Sequence, residues 1–222
     1  MTAVLAMTAD GKIADVHRHP VRFGSAADRA HLERQVAQSD GVILGARTLL
    51  SHGSAALVHD PALIEMRQTQ GKSAQTLHII CTRRGEISRE IDFFQQPLER
   101  WLVTSSTGAK HWQEGQEFSR IWSDYTWPDV LAEFYALGLR QIGVLGGGSL
   151  IAELLAAQVI DDLWLTICPL MFGGATAPTP ADGAGFTEPL NLELLSYEPW
   201  GQELLLHYQI KPKAAGSVPS AP

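Results

Sequence analysis

Short apolar runs of strand length alternate along the chain with stretches whose apolar positions recur every three or four residues. Such alternation predicts a parallel or mixed sheet whose strands are buried under helices. Residues 3–7 read as the first strand, closed by a turn at Asp10-Gly11. Ser25 is placed to cap a helix running to about residue 39, with Asp28 completing a shortened capping box and Leu32 and Val36 on the buried face. Residues 41–44 and 77–81 read as strands buried on both sides. Residues 100–104 and 120–123 read as short strands separated by a polar loop through Thr107, Gly108, Ala109 and Lys110. Trp127-Pro128 opens a helix with Leu131, Phe134, Tyr135 and Leu137 as its apolar stripe, and Gly138 ends it. A strand at 141–145, a helix at 149–158 and a strand at 162–168 follow. Residues 192–197 and 203–210 then form a hairpin turning near Pro199-Trp200-Gly201. Residues 1–210 make a single domain, and residues 211–222, rich in Pro, Ala, Ser and Gly, are expected to be a disordered tail.

Composition narrows the classes. The 222 residues are 45% hydrophobic and 18% charged, which is ordinary for a globular domain. A net charge of −7 argues against a nucleic-acid-binding surface. No apolar run approaches the ~20 residues that span a bilayer, and the first residues lack a basic signal-peptide region, so a cytoplasmic protein is expected. Cys81 and Cys168 sit in apolar stretches and read as buried thiols. The eight histidines include no pair at helical metal-ligand spacing with a carboxylate, so no metal is expected. His17 and His19 read as loop residues, and the six tryptophans as core or interface.

The most informative stretch is Ile142-Gly143-Val144-Leu145-Gly146-Gly147-Gly148-Ser149-Leu150, an apolar strand, three glycines and a helix start. Glycines let an anion approach the main chain, and a helix N-terminus offers free N–H groups to it. The turn reads equally as a phosphate cradle or as a plain strand-to-helix connection. No lysine follows, which excludes a nucleoside-triphosphate loop.

Five elements in order carry a resemblance. Met7-Thr8-Ala9-Asp10-Gly11-Lys12-Ile13-Ala14 is similar to the "S-x-D-G-K/R-I-A" opening of the dihydrofolate-reductase-like superfamily. More closely, it resembles the C-terminal reductase domain of the bacterial riboflavin-biosynthesis deaminase/reductase. Asp40 through Gly45 to Thr48 resembles that family's "D-A-x-x-x-G-x-x-T". Asp60-Pro61-Ala62-Leu63 with Arg67 resembles "D-P-x-L-x-x-R" with one extra residue. The glycine turn is the fourth element. The fifth, Val159 to Leu163 followed by Ile167 to Gly174, resembles "V-D-E-L-x-L-x-x-x-P-x-x-x-G-G". Nothing resembles a zinc deaminase domain.

The resemblance implies a three-layer α/β/α sandwich around a mixed, mostly parallel sheet, NADPH as hydride donor, and a homodimer. It implies a cofactor site of Ala6, Gly45, Thr48, Thr82, Arg83, Gly146, Gly147, Gly148, Ser149 and Leu150. Ala6 would line the nicotinamide cleft, and Thr82 and Arg83 would meet the 2′-phosphate. Guanidinium suits that role because it pairs with phosphate through two parallel hydrogen bonds. Asp60 and Arg67 are the substrate-side candidates, with Arg67 on a ribose 5-phosphate. Asp10 reads as a turn residue or a proton donor.

Three substrate-side positions depart from the family pattern. Val4 stands near a usual lysine, Gly146 at a usual glutamate, and Val36 at a usual helix arginine, for which Arg34 is a possible substitute. The expected activity is reduction of the ribosyl group of 5-amino-6-(5-phosphoribosylamino)uracil, or of a related compound, to a ribityl group. The alternatives are a reductase of the same fold acting on a pterin or dihydrofolate, and a non-catalytic NADPH-binding module.

Overall fold

A computed structural model describes residues 1–19 and 23–211. Apart from Lys211, the expected tail lies outside the described residues. The elements are β1 (Thr2–Thr8), α1 (Ala26–Gln38), β2 (Gly41–Gly45), α2 (Ala46–His52), α3 (Pro61–Thr69), β3 (Leu77–Cys81), β4 (Arg100–Thr104), α4 (Ser106–Ala109), β5 (Arg120–Ser123), α5 (Trp127–Ala136), β6 (Ile142–Val144), α6 (Gly148–Ala156), β7 (Asp162–Cys168), β8 (Leu192–Trp200) and β9 (Glu203–Ile210). They build a nine-stranded sheet in the order β5-β4-β3-β2-β6-β1-β7-β9-β8. Pairs from β5 to β7 are parallel, and β9 and β8 add antiparallel at one edge.

The strand period of two explains why the central strands are apolar throughout. Ile43, Ile79, Trp101 and Val103 face α5 and α6, where Val130, Phe134, Ile151 and Leu154 complete one core. Their neighbours Leu44, Ile80 and Leu102 turn the other way, onto Leu49 of α2 with Phe93 and Phe118. Val42 packs with Val36 and Ala37 of α1 and with Val58. The sheet is therefore sandwiched between two helical layers, as the resemblance implied.

Several expectations need correction. The polar segment around Thr107 to Lys110 contains α4, capped by the Ser105 hydroxyl accepting from the Gly108 N–H at 3.1 Å. The stripe of α5 is Trp127, Val130 and Phe134 with the expected Leu131 partly buried beside them, whereas Tyr135 is exposed and Leu137 falls past the last turn. Ser25 does cap α1, accepting from Ala27 and Asp28 N–H groups. Its own N–H, however, goes to Glu203 Oε1 at 2.7 Å rather than to Asp28.

One feature of the register matters most for function. β6 pairs with β1 only at Thr2↔Gly143 and Ala3↔Val144. β1 continues to Thr8 with β7 on one side, while the chain after β6 stays with β2, the Gly45 N–H donating to Gly146 O at 2.9 Å. Beyond Ala3 the sheet splits, and a crevice opens at the carboxyl ends of β1, β2 and β6. Ligands of open α/β sheets bind in such a crevice.

Candidate active site at the split sheet

Two helices begin on the β2–β6 wall of this crevice. α2 starts after Gly45 and α6 after Gly147, and neither has a side-chain cap at its N-terminus. Their first-turn N–H groups are therefore available to an anion, with the positive ends of both helix dipoles behind them. The glycines are set by space. Gly146 has φ 99°, a left-handed conformation that favours glycine, and the Gly146–Gly147 peptide is cis. A Cβ on Gly147 would sit 3.1 Å from Thr48 Oγ1, so backbone and hydroxyl share one small hollow. Gly45, Thr48, Gly146 and Gly147 are thus brought together.

The rest of the glycine turn divides differently. A Cβ on Gly148 would lie 2.1 Å from the Thr179 carbonyl, and the Gly148 carbonyl accepts from Asp182 N–H, so Gly148 is spent on packing the loop after β7. Leu150 points its side chain into the core, which leaves only its main chain near the helix start. Ser149 is exposed.

Because β3 neighbours β2 in register Gly45↔Cys81, Thr82 and Arg83 follow on beside the start of α2. Thr82 Oγ1 accepts from the Gly85 N–H at 3.2 Å, and the Arg83 carbonyl accepts from Ser105 Oγ at 2.6 Å, which fixes the turn. The Arg83 side chain is 90% exposed, with its guanidinium 3.7 Å from Glu153. It is a cation on a fixed stem, free to meet an anion.

The substrate-side candidates fall elsewhere. Arg67 is 2% exposed, and its guanidinium donates to the carbonyls of Ser73, Ala37, Ser39 and Gln75. These carbonyls lie where β2 and β3 begin, at the opposite edge of the sheet from the glycine turn. Arg67 joins the end of α1 to the loop before β3, with four of its five N–H donors spent on main-chain carbonyls and the group buried away from any phosphate at the glycine turn. Asp60 caps α3, accepting from the Ala62 N–H at 2.9 Å. Val36 is sealed in the core beneath α1, and Arg34 is exposed.

Asp10 resolves as a turn residue. It accepts from Thr8 Oγ1 at 2.5 Å and from the Gly173 N–H at 2.7 Å, tying the end of β1 to the loop after β7. The Thr8 hydroxyl and those loop amides hold its carboxyl below the usual aspartate value, which is wrong for a proton donor. Burial pushes the Cys168 thiol up to about 12, so that side chain is inert. Two hollows of about 370 and 320 Å³ lie toward the amino edge of the sheet beside Gln141, the first also against Asp40 and the second reaching Val4 and Leu145 where the sheet begins to split.

Sequence reading missed a group on the other wall. Register places Ala6 beside Thr166 and Thr8 beside Cys168, with Leu205 and then Glu203 next in β9. The first turn of α1 covers these positions with Ser25 and Asp28. Glu203, 6% exposed, accepts from the Ser25 N–H and Oγ and from Cys168 Sγ at 3.5 Å. Asp28 pairs with the Thr166 hydroxyl. Asp28 and Glu203 stand 175 residues apart in sequence, so no local pattern links them.

Residues 1–206 match the RibD C-terminal domain family. The chain belongs to that family. The 2,5-diamino-6-ribosylamino-4(3H)-pyrimidinone 5′-phosphate reductase of Archaeoglobus fulgidus is 27% identical over 196 residues, covering 85% of this chain and 89% of that protein. The riboflavin biosynthesis protein RibD of Synechocystis is 24% identical over 208 residues, covering 90% of this chain but only 54% of its own length. This chain therefore spans about half the length of that relative. Among solved structures, a pyrimidine reductase-like protein from Corynebacterium diphtheriae superimposes with TM-score 0.81 at 17% identity, covering 95% of this chain and 91% of that one. Dihydrofolate reductase from Enterococcus faecalis, solved with NADP(H), gives TM-score 0.52 at 16% identity, covering 95% of this chain and 96% of that one. The dihydrofolate-reductase-like fold expected for this RibD-type domain is thus the observed one. Among the described residues no helix is long and apolar enough to cross a membrane, and no three His, Cys, Asp or Glu side chains converge as metal ligands.

Proposed function

We propose that this chain is an NADPH-dependent reductase of riboflavin biosynthesis, acting on a phosphoribosylamino-pyrimidine. The observation that carries the reading is the pair of uncapped helix N-termini meeting at Gly146, Gly147 and Thr48 beside a split in the sheet. The cradle suits a pyrophosphate because a side chain on Gly147 would occupy it, and Arg83 suits the 2′-phosphate. NADPH, when bound, supplies the hydride for C1′ of the ring-opened ribosylamine, giving a ribitylamine. The protein's part is to align the partners and exclude water. Gly45, Thr48 and the glycine turn hold the phosphates, and the small Ala6 side chain leaves room for a flat ring against β1.

Thermal unfolding with NADPH, NADH and no ligand tests this. A ligand at about 100 times its Kd adds about 2.7 kcal/mol, so NADPH should raise Tm clearly and NADH much less. Gly147→Val should abolish the NADPH shift, read against the variant's own unliganded Tm, which should itself fall somewhat because the new Cβ presses on Thr48 Oγ1. Equal Tm with and without NADPH would overturn the reading.

The active unit is a homodimer in this proposal. β8 is the sheet edge and exposes Leu192, Leu194, Leu195 and Tyr197, an apolar strip that a second copy would cover. Light scattering should give twice the chain mass, and Leu194→Asp should halve it; a monomeric wild type would refute the dimer. The two free cysteines fit a reducing cytoplasm.

A further inference from the structure

One negative charge stands against the anion that the glycine cradle and Arg83 are suited to hold. Glu153 belongs to α6, the helix whose first turn forms one side of the cradle. Residues four apart share a helix face, so Glu153 stands one turn beyond the exposed Ser149, about 6 Å along the axis. From there its Oε2 comes within 3.7 Å of the Arg83 guanidinium. It also overhangs the end of β3, where burial first and the Glu153 charge second push the Cys81 thiol up. A nucleotide with its pyrophosphate in the cradle and its 2′-phosphate at Arg83 therefore passes Glu153.

This carboxylate is held in place. Its Oε1 accepts from Trp127 Nε1 at 2.8 Å, and Trp127 is a buried member of the core that α5 and α6 share, with Tyr125 packed edge-on against it. One oxygen is thus fixed by a buried donor, and the other is left toward Arg83. A separation of 3.7 Å is a charge contact rather than a hydrogen bond, so the guanidinium N–H groups stay available to a phosphate. Both side chains are solvated, and such a pair adds little to stability. Its consequence lies in what binds beside it.

Given the NADPH site proposed above, we infer that Glu153 is a specificity-determining residue that works against Arg83 and holds down the preference for NADPH over NADH. A phosphate monoester carries close to two negative charges near neutral pH. Placed on Arg83, it sits within a few ångströms of the Glu153 carboxylate, and repulsion between like charges at that range costs about tenfold in affinity even in a high dielectric. The 2′-hydroxyl of NADH is neutral and can donate to a carboxylate, as acidic residues accept from it in dinucleotide sites of other folds. One side chain therefore opposes the first cofactor and tolerates the second.

Titration calorimetry of the full chain with NADPH and with NADH tests this. Glu153→Gln keeps a carbonyl for Trp127 Nε1 and loses only the charge. Its Kd for NADPH should fall about tenfold, while that for NADH stays within about twofold of the wild type. Glu133 supplies the control. It lies on α5 and also accepts from an indole, Trp122 Nε1, but makes no ion pair with Arg83. Glu133→Gln should leave both Kd values unchanged. The unliganded Tm of each variant should match the wild type, because each glutamine still accepts from its indole, so a changed ratio reads the charge and not the fold. An unchanged NADPH-to-NADH ratio in Glu153→Gln, weaker NADPH binding by it, or an equal gain in Glu133→Gln would overturn the role of Glu153 and leave the NADPH reading intact. Absence of NADPH binding in the wild type and both variants would overturn the two together.

Discussion

Arg67, where β2 and β3 begin, and Arg83, where β3 ends, stand at opposite edges of the sheet. Arg67 is buried and donates to four backbone carbonyls, while Arg83 is exposed beside one carboxylate at 3.7 Å. Both have the same guanidinium, and both were candidates for holding a phosphate. The difference lies in what the backbone leaves unpaired around each. At the amino edge, the end of α1 and the loop before β3 present carbonyls that must find donors once buried. At the carboxyl edge, two helices begin and present N–H groups, which call for an anion from outside. One arginine completes the fold, and the other is left for a ligand.

Removing Arg67 should break the comparison most visibly. Arg67→Ala strands buried carbonyls of Ala37 and Ser39, and the expected loss is about 3 kcal/mol or more of unfolding free energy. Urea denaturation measures it. NADPH affinity of the folded fraction should stay at the wild-type value, because Arg67 lies a strand length from the glycine turn. A stable Arg67→Ala protein that has lost substrate affinity would restore Arg67 to the phosphate and undo the structural assignment.

How much was legible follows the same division. β3, β4, β5 and β7 occupy the residues their apolar runs indicated; for β3 and β4 the reason is burial on both faces, whereas β5 is a half-exposed edge strand marked by Ile121 and Trp122. The glycine turn was legible because the left-handed φ of Gly146 and the Thr179 carbonyl against Gly148 demand glycine there. Arg67 was misread because a motif fixes position in the fold, and burial decides whether a charge is spent there. Asp28 was read as a capping partner because its actual neighbours, Thr166 and Glu203, come from distant strands. Leu137 is exposed because α5 ends at Ala136, while Tyr135, inside the helix and next to buried Phe134, faces outward beneath the Arg140 guanidinium.

Two buried histidines give the next effect. His31 packs against Trp164 and Trp200, and His78 lies beside Phe93, each with Nε2 unpaired among the described residues. Desolvation lowers both from 6.5 to about 4. The folded state keeps them neutral, so their contribution is whole above pH 6.5 and is lost as pH falls through about 4. Each should remove about 2 kcal/mol by pH 4.5. Asp10 and Asp40, whose pKa values lie below the usual aspartate value, lose their share only at lower pH. Urea midpoints should therefore fall between pH 6.5 and 4.5, and His31→Phe should flatten the fall. A flat profile in the wild type would mean that these rings find partners.

The smallest effect sharpens the comparison at its other end. Arg83→Ala removes an exposed side chain whose ion pair with Glu153 is long and solvated, so stability should change by less than about 0.5 kcal/mol. What should change is cofactor choice. The 2′-phosphate distinguishes NADPH from NADH, and losing a guanidinium partner for it should weaken NADPH about tenfold, or about 1.4 kcal/mol, with NADH unaffected. Titration calorimetry with both nucleotides reads the two values separately. Arg84, exposed beside Glu86 in the same turn, supplies the control, since Arg84→Ala removes an equal charge without the placement next to α6. Equal losses for the two variants would mean a diffuse field at this edge, and a loss confined to Arg83→Ala would mean a contact. The sheet geometry favours the contact, because Ser105 fixes the Arg83 main chain and so fixes where its side chain begins.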